Sequence, residues 1–81
     1  MLESEVKGLI EAGIPGARVE VQDTTGTGDH FDAVVVSPQF EGKMLVQRHQ
    51  MVYAALGKAM AGPVHALSLK TYTPAEWAQR R

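Results

Sequence analysis

The sequence predicts a small α+β fold in which helices and strands follow in the order α-β-β-α-β-α, a three-stranded sheet covered by helices. Three observations lead there. Apolar residues recur at helical spacing near the start and in the middle of the chain. Shorter stretches are β-branched or alternate between apolar and polar residues. Glycine or proline stands at most of the junctions between them.

Each element can be justified in order. Leu2, Val6, Leu9 and Ile10 follow the i, i+4, i+7, i+8 stripe of an amphipathic helix, which Gly13 stops and Gly13-Ile-Pro-Gly16 turns. Val19 and Val21 alternate with Arg18, Glu20 and Gln22, the pattern of a half-buried strand. A polar connection from Asp23 to Asp29 leads into a second strand, Phe31 to Val36, whose residues 34–36 predict cover on both faces. So short a loop requires an antiparallel hairpin. Pro38 ends that strand, and the turn from Gln39 to Gly42 plants Phe40 as a core anchor. Leu45, His49, Val52, Leu56 and Met60 share one stripe of a long helix ending near Gly62-Pro63. His65 to Thr71 reads as a third strand, with His65, Leu67 and Leu69 on one face and Ala66, Ser68 and Lys70 on the other. Thr73-Pro-Ala-Glu76 has the form of a capping box with proline at N1, opening a last short helix anchored by Trp77.

Composition narrows the function. Eighty-one residues are expected to make one domain, spanning 1–81, and the 44% apolar content is that of an ordinary globular chain. No apolar run approaches the length of a membrane span, and no basic region followed by an apolar one opens the chain as in a signal peptide. A cytoplasmic protein is the expectation. With no cysteine, the chain has no disulfide, no thiolate ligand and no thiol nucleophile of its own. The net charge of −1 conceals a division: residues 1–42 carry Lys7 and Arg18 against eight acids, whereas residues 43–81 carry six basic residues against Glu76 alone. Such a division suits either a basic face that meets an acidic partner or phosphate backbone, or two halves whose charges cancel on folding.

Few residues suggest chemistry. His49 lies on the apolar helix stripe and reads as a hydrogen-bonded core histidine. His30, where the loop enters the second strand, and His65, opening the third, occupy positions from which imidazole could reach a metal; spacing alone equally makes each a surface or capping residue. No G-x-S-x-G elbow and no H-E-x-x-H motif is present, and Asp29 and Asp32 beside His30 read as turn and strand residues, so an enzyme is not expected. Thr25-Gly-Thr-Gly28 lacks the lysine and helix of a P-loop. Gly13-Ile-Pro-Gly16 has the letters of the backbone-clamping loop of KH modules, and the element order is compatible with a KH-like sheet, but the loop holds a proline and no basic residue. Lys43, Arg48, Lys58 and Lys70 supply positive charge for a nucleic-acid partner, while aromatic stacking platforms are few.

Several linked segments resemble the BolA family. They are Val34-Val-Val-Ser37, Phe40-Glu-Gly-Lys43, Leu45-Val-Gln-Arg-His49 with Val52-Tyr53, and His65-Ala-Leu-Ser-Leu-Lys-Thr-Tyr-Thr-Pro74 with Glu76-Trp77, so the likeness runs from about Val19 to Trp77. The resemblance implies a class II KH-like fold and a non-enzymatic adaptor that partners a monothiol glutaredoxin and shares a [2Fe-2S] cluster with it, in iron–sulfur trafficking or iron sensing. It implies that the glutaredoxin and glutathione each bring a thiolate while the BolA-like chain brings the histidine opening its His-Ala-Leu strand, here His65. Imidazole in place of thiolate raises a cluster's potential. Many family members carry a second ligand in the loop between the first two strands; here the loop from Thr24 to Asp29 has none, and His30 at its far edge is the second candidate. Lys43, Arg48 and Lys70 are the expected partner-facing charges, with Arg48 equally readable as a structural helix residue. Some family members are linked to DNA binding and transcriptional regulation, which makes a KH-like nucleic-acid-binding regulator the alternative.

Overall fold

A computed structural model of the chain describes residues 1–61 and 66–80. Helix α1 spans Glu3–Gly13, strands β1 and β2 span Arg18–Asp23 and His30–Val36, helix α2 spans Leu45–Leu56, strand β3 spans Ala66–Tyr72 and helix α3 spans Pro74–Gln79. Short 3-10 turns at Pro38–Phe40 and Gly57–Ala61 flank α2. The expected α-β-β-α-β-α order is therefore the observed one. β2 is central, pairing antiparallel with β1 and parallel with β3, so α2 is the crossover that a parallel pair requires.

The sheet has one core face. Register sets Val19 beside Val35 and Val21 beside Ala33, while Phe31, Ala33 and Val35 face Leu67, Leu69 and Thr71 of β3. Val6, Ile10 and Ile14 from the α1 segment and Val52 and Leu56 from α2 close over this face, and Phe40 is fully buried among them. Ile14, read from sequence as a turn residue, is part of the core at 1% exposure. On the other face cover is uneven: Val36 is buried, whereas Val34 is only half-buried beside Glu20 and Lys70, so the two-faced cover expected for residues 34–36 holds only at the strand's end.

Three further expectations are revised. α2 stops at Leu56 because Gly57 takes a φ of +53°, which a residue with a side chain rarely adopts, and the chain tightens into a 3-10 turn there; Gly62-Pro63 lie outside the described residues. Leu45 does not join the core stripe, since the first turn of α2 carries it into solvent. Trp77 is half-buried, packing against Tyr72 at 5.3 Å with the Arg80 guanidinium 4.6 Å from its centroid, and no residue of α3 is fully buried.

The junctions follow local chemistry. Ser37 Oγ accepts from the Gln39 N–H at 3.0 Å and caps the 3-10 turn, with Pro38 at its first position. Thr73 and Glu76 form the reciprocal capping box at α3: Glu76 N–H donates to Thr73 Oγ1 at 3.2 Å, and Thr73 N–H to Glu76 Oε1 at 2.8 Å. Gly13 has a second task beyond ending α1, because a Cβ built on it would stand 2.4 Å from Ala55 Cβ; the two helices touch backbone to side chain there.

Candidate functional site

Of the two histidine candidates, His30 lies at one end of the central strand. His30 opens β2, and its register partner on β3 is Ala66, the second residue of the His65-Ala-Leu67 segment. His65 itself lies outside the described residues. The backbone around His30 is tied from both sides: its C=O accepts from Thr24 N–H at 3.0 Å and from Thr24 Oγ1 at 3.2 Å, and the neighbouring Asp29 C=O accepts from Ala66 N–H at 3.2 Å.

The His30 ring is also oriented. Asp29 Oδ1 stands 2.8 Å from Nδ1 and accepts in turn from the Thr27 hydroxyl. In the tautomer with Nδ1–H donating, the ring's lone pair resides on Nε2, the arrangement in which a carboxylate steadies a metal-ligating histidine. Asp29, discounted from sequence as a turn-former, is the group that positions His30. Its signal was only its adjacency. The preceding loop is organised by Asp23, whose carboxylate accepts from the N–H groups of Thr25, Gly26 and Gly28 at 3.2, 2.9 and 2.8 Å, with Gly26 and Gly28 in the left-handed region. Among the described residues no three His, Asp or Glu side chains gather to hold a metal ion.

The basic candidates are dispersed. Lys70 shares the open sheet face with His30 but pairs in register with Val34, four residues along β2, or about 13 Å. Lys43 lies exposed before α2. Arg48 is committed inside the molecule. Its side chain is only 13% exposed, Nη1 donates to Glu76 Oε1 at 2.7 Å, Nε donates to the Lys43 C=O at 3.1 Å, and the guanidinium lies 5.8 Å from the Phe40 centroid. Of its two readings, the geometry fits the structural one. The clamp joins α2 to α3 across 28 residues of sequence, a pairing with no local signal. The Arg48 hydrogen bond, helped by the Thr73 N–H, holds the Glu76 carboxyl below its usual value.

His49 departs from the hydrogen-bonded core histidine expected of it. Its ring is half-buried, edge-on to Tyr53 at 6.4 Å, and its buried Nε2 has no hydrogen-bond partner among the described residues.

Comparison with known proteins adds the family. A model described as BolA-like protein matches residues 14–76. The chain is 50% identical to BolA-like protein 1 of Bos taurus over 54 residues, which cover 67% of this chain and 40% of the bovine protein, so it spans about two fifths of that relative. It is 33% identical over 84 residues to the DNA-binding transcriptional regulator BolA of Escherichia coli, covering 95% of this chain and 80% of that one. Among solved structures, a BolA homologue from Coxiella burnetii superposes with a TM-score of 0.84 at 46% identity, covering 96% of this chain and 97% of the other. The BolA domain of SufE1 from Arabidopsis thaliana gives 0.79 at 32% identity, covering 91% and 93%.

Proposed function

The chain belongs to the BolA-like family, and from that premise we propose that it is an adaptor that binds a monothiol glutaredoxin and shares a [2Fe-2S] cluster with it, in iron–sulfur trafficking or iron sensing. The observation that carries this reading is the register of His30 with Ala66, which sets an oriented imidazole at the sheet end where β3 begins, at the residue that follows His65 in sequence. His65 is the proposed ligand and His30 the second candidate.

The donor set suits a shared cluster. A [2Fe-2S] cluster takes four protein-type ligands, and imidazole substitutes for thiolate on one iron in some of them. This chain has no thiol, so the thiolates must come from the glutaredoxin and glutathione. The cluster, when bound, supplies the redox and transfer chemistry. The chain's part is to hold an imidazole still, which Asp29 does for His30.

Visible circular dichroism tests the proposal, by titrating the chain into a cluster-loaded monothiol glutaredoxin with His65→Ala and His30→Ala alongside. A new spectrum that saturates near one-to-one and is lost with His65→Ala is the expected result. An unchanged spectrum with the wild-type chain refutes cluster sharing with that partner. Loss with His30→Ala but not His65→Ala would exchange the two roles.

A second reading, a nucleic-acid-binding regulator, is favoured by the likeness to the Escherichia coli relative, which is named a DNA-binding transcriptional regulator. It predicts binding to duplex DNA that falls steeply with added salt. With Arg48 engaged by Glu76, Lys43 and Lys70 are the proposed phosphate contacts.

A further inference from the structure

β3 is an edge strand, and among the described residues it pairs with β2 alone. The bonds at its two ends fix its phase: Ala66 N–H donates to Asp29, and the Tyr72 C=O accepts from Ser37 N–H at 3.0 Å. Even-numbered residues therefore turn their backbone toward β2, and the N–H and C=O groups of Leu67, Leu69 and Thr71 point to the outer edge. A groove of about 250 Å³ follows this edge, lined by Leu45, His49, Leu69, Lys70, Thr71 and Tyr72. Successive strand residues face opposite ways, so a cavity lined by four in a row runs along the strand's edge, here with α2 as its second wall.

The groove's surroundings are unlike an ordinary solvated edge. Leu45 is 60% exposed, and its chain neighbours Met44 and Val46 are 75% and 68% exposed, three consecutive apolar side chains in water. The two buried side-chain polar atoms without hydrogen-bond partners among the described residues, His49 Nε2 and Thr71 Oγ1, both belong to residues that line it. Lys43 and Lys70 form no ion pair among the described residues.

We propose that the outer edge of β3 and the exposed start of α2 form a docking groove for an extended, acidic and apolar segment of a partner protein, which adds to the sheet as a fourth strand. The free backbone groups supply the ladder. Side chains of the incoming strand that turn toward α2 lie on Leu45, and those that turn to the open sheet face bring carboxylates to Lys70. A second copy of the chain suits the groove less well, because a two-fold pairing of β3 with β3 brings together two Lys-bearing edges. A single-stranded nucleic acid needs stacking faces, and of the two rings that line the groove Tyr72 is already packed on Trp77 and His49 stands edge-on to Tyr53. The groove goes beyond the cluster reading and stands without it.

The test is amide hydrogen exchange by NMR on the full chain, with a blocked decapeptide of alternating glutamate and valine as the probe and its lysine–valine counterpart as control. The glutamate peptide is expected to slow exchange at Leu67, Leu69 and Thr71 while leaving Ser68 and Lys70, whose N–H groups already face β2, unchanged. Leu45→Glu, at an exposed position that keeps the fold, should weaken binding about ten-fold, and Lys70→Glu about five-fold. Unchanged exchange at the three edge amides overturns the proposal. Equal protection by the lysine peptide overturns it, as does protection by a single-stranded oligonucleotide in place of the peptide, or by self-association of the free chain.

Discussion

Replacing Gly13 by alanine tests how closely the two core helices approach. A Cβ at position 13 would stand 2.4 Å from Ala55 Cβ and 2.8 Å from Ala55 Cα, whereas carbon atoms pack comfortably at about 3.5–4.0 Å. The overlap is about 1 Å and involves backbone, so no rotamer change relieves it. α1 must draw away from α2, and with it Val6 and Ile10, which pack with Val52 and Leu56. Overpacking of this kind costs about 1–3 kcal/mol. Alanine recovers up to about 1 kcal/mol over glycine inside a helix, and less at its last residue, where Gly13 sits. The expected net loss is about 1–2 kcal/mol, or a fall in Tm of roughly 5–15 °C for a domain of this size. Thermal and urea unfolding followed by far-UV circular dichroism measure it. Ala55→Gly removes the 2.4 Å contact but leaves the Cα, so the double variant should be less unstable than the sum of the two single ones. A Gly13→Ala protein as stable as wild type, or strictly additive losses, would refute the close approach.

Other outcomes follow from the same structure. Phe40→Ala, at a fully buried anchor, should cost about 3–5 kcal/mol in urea unfolding. Trp77→Ala should cost only about 1–2 kcal/mol, because the ring is half-buried against Tyr72 rather than enclosed. Glu76→Gln probes the clamp to Arg48 through pH. The Glu76 carboxyl is held below its ordinary value of 4.5 in the fold, so its contribution is fully present above that pH and is lost as pH falls through the lower folded value. The gap in Tm between wild type and Glu76→Gln should hold steady from pH 7 to 5 and narrow below 4.5; a gap that widens in acid would contradict the clamp.

Much of the fold was legible because its signals are local. The α1 stripe, the alternation in β1, the Ser37-Pro38 stop and the Thr73–Glu76 capping box all depend on residues within a few positions of one another. The length of α2 was misread because apolar spacing continues through Met60, while the backbone had already turned at Gly57. Leu45 and Trp77 were misplaced for a related reason: apolar character says that a side chain gains from burial, not that another element lies within reach of it.

The candidate site divides the same way. His30, Lys43, Arg48 and Lys70 could be singled out by residue type and place in the chain, and the family by the order of several short segments. Residue type could not tell that Arg48 is held by a carboxylate 28 positions away while Lys70 is left on an open face. Nor could it tell that Asp29 orients His30, or that β3 lies at the sheet edge beside exposed apolar residues. The sequence by itself determined the order of elements, the lack of thiol chemistry and the supply of imidazoles, since periodicity, caps and composition are written in neighbouring residues. Tertiary structure alone decided which charges are neutralised, which apolar side chains stay in water and which strand is left at the edge, because those depend on distances between residues far apart in the chain.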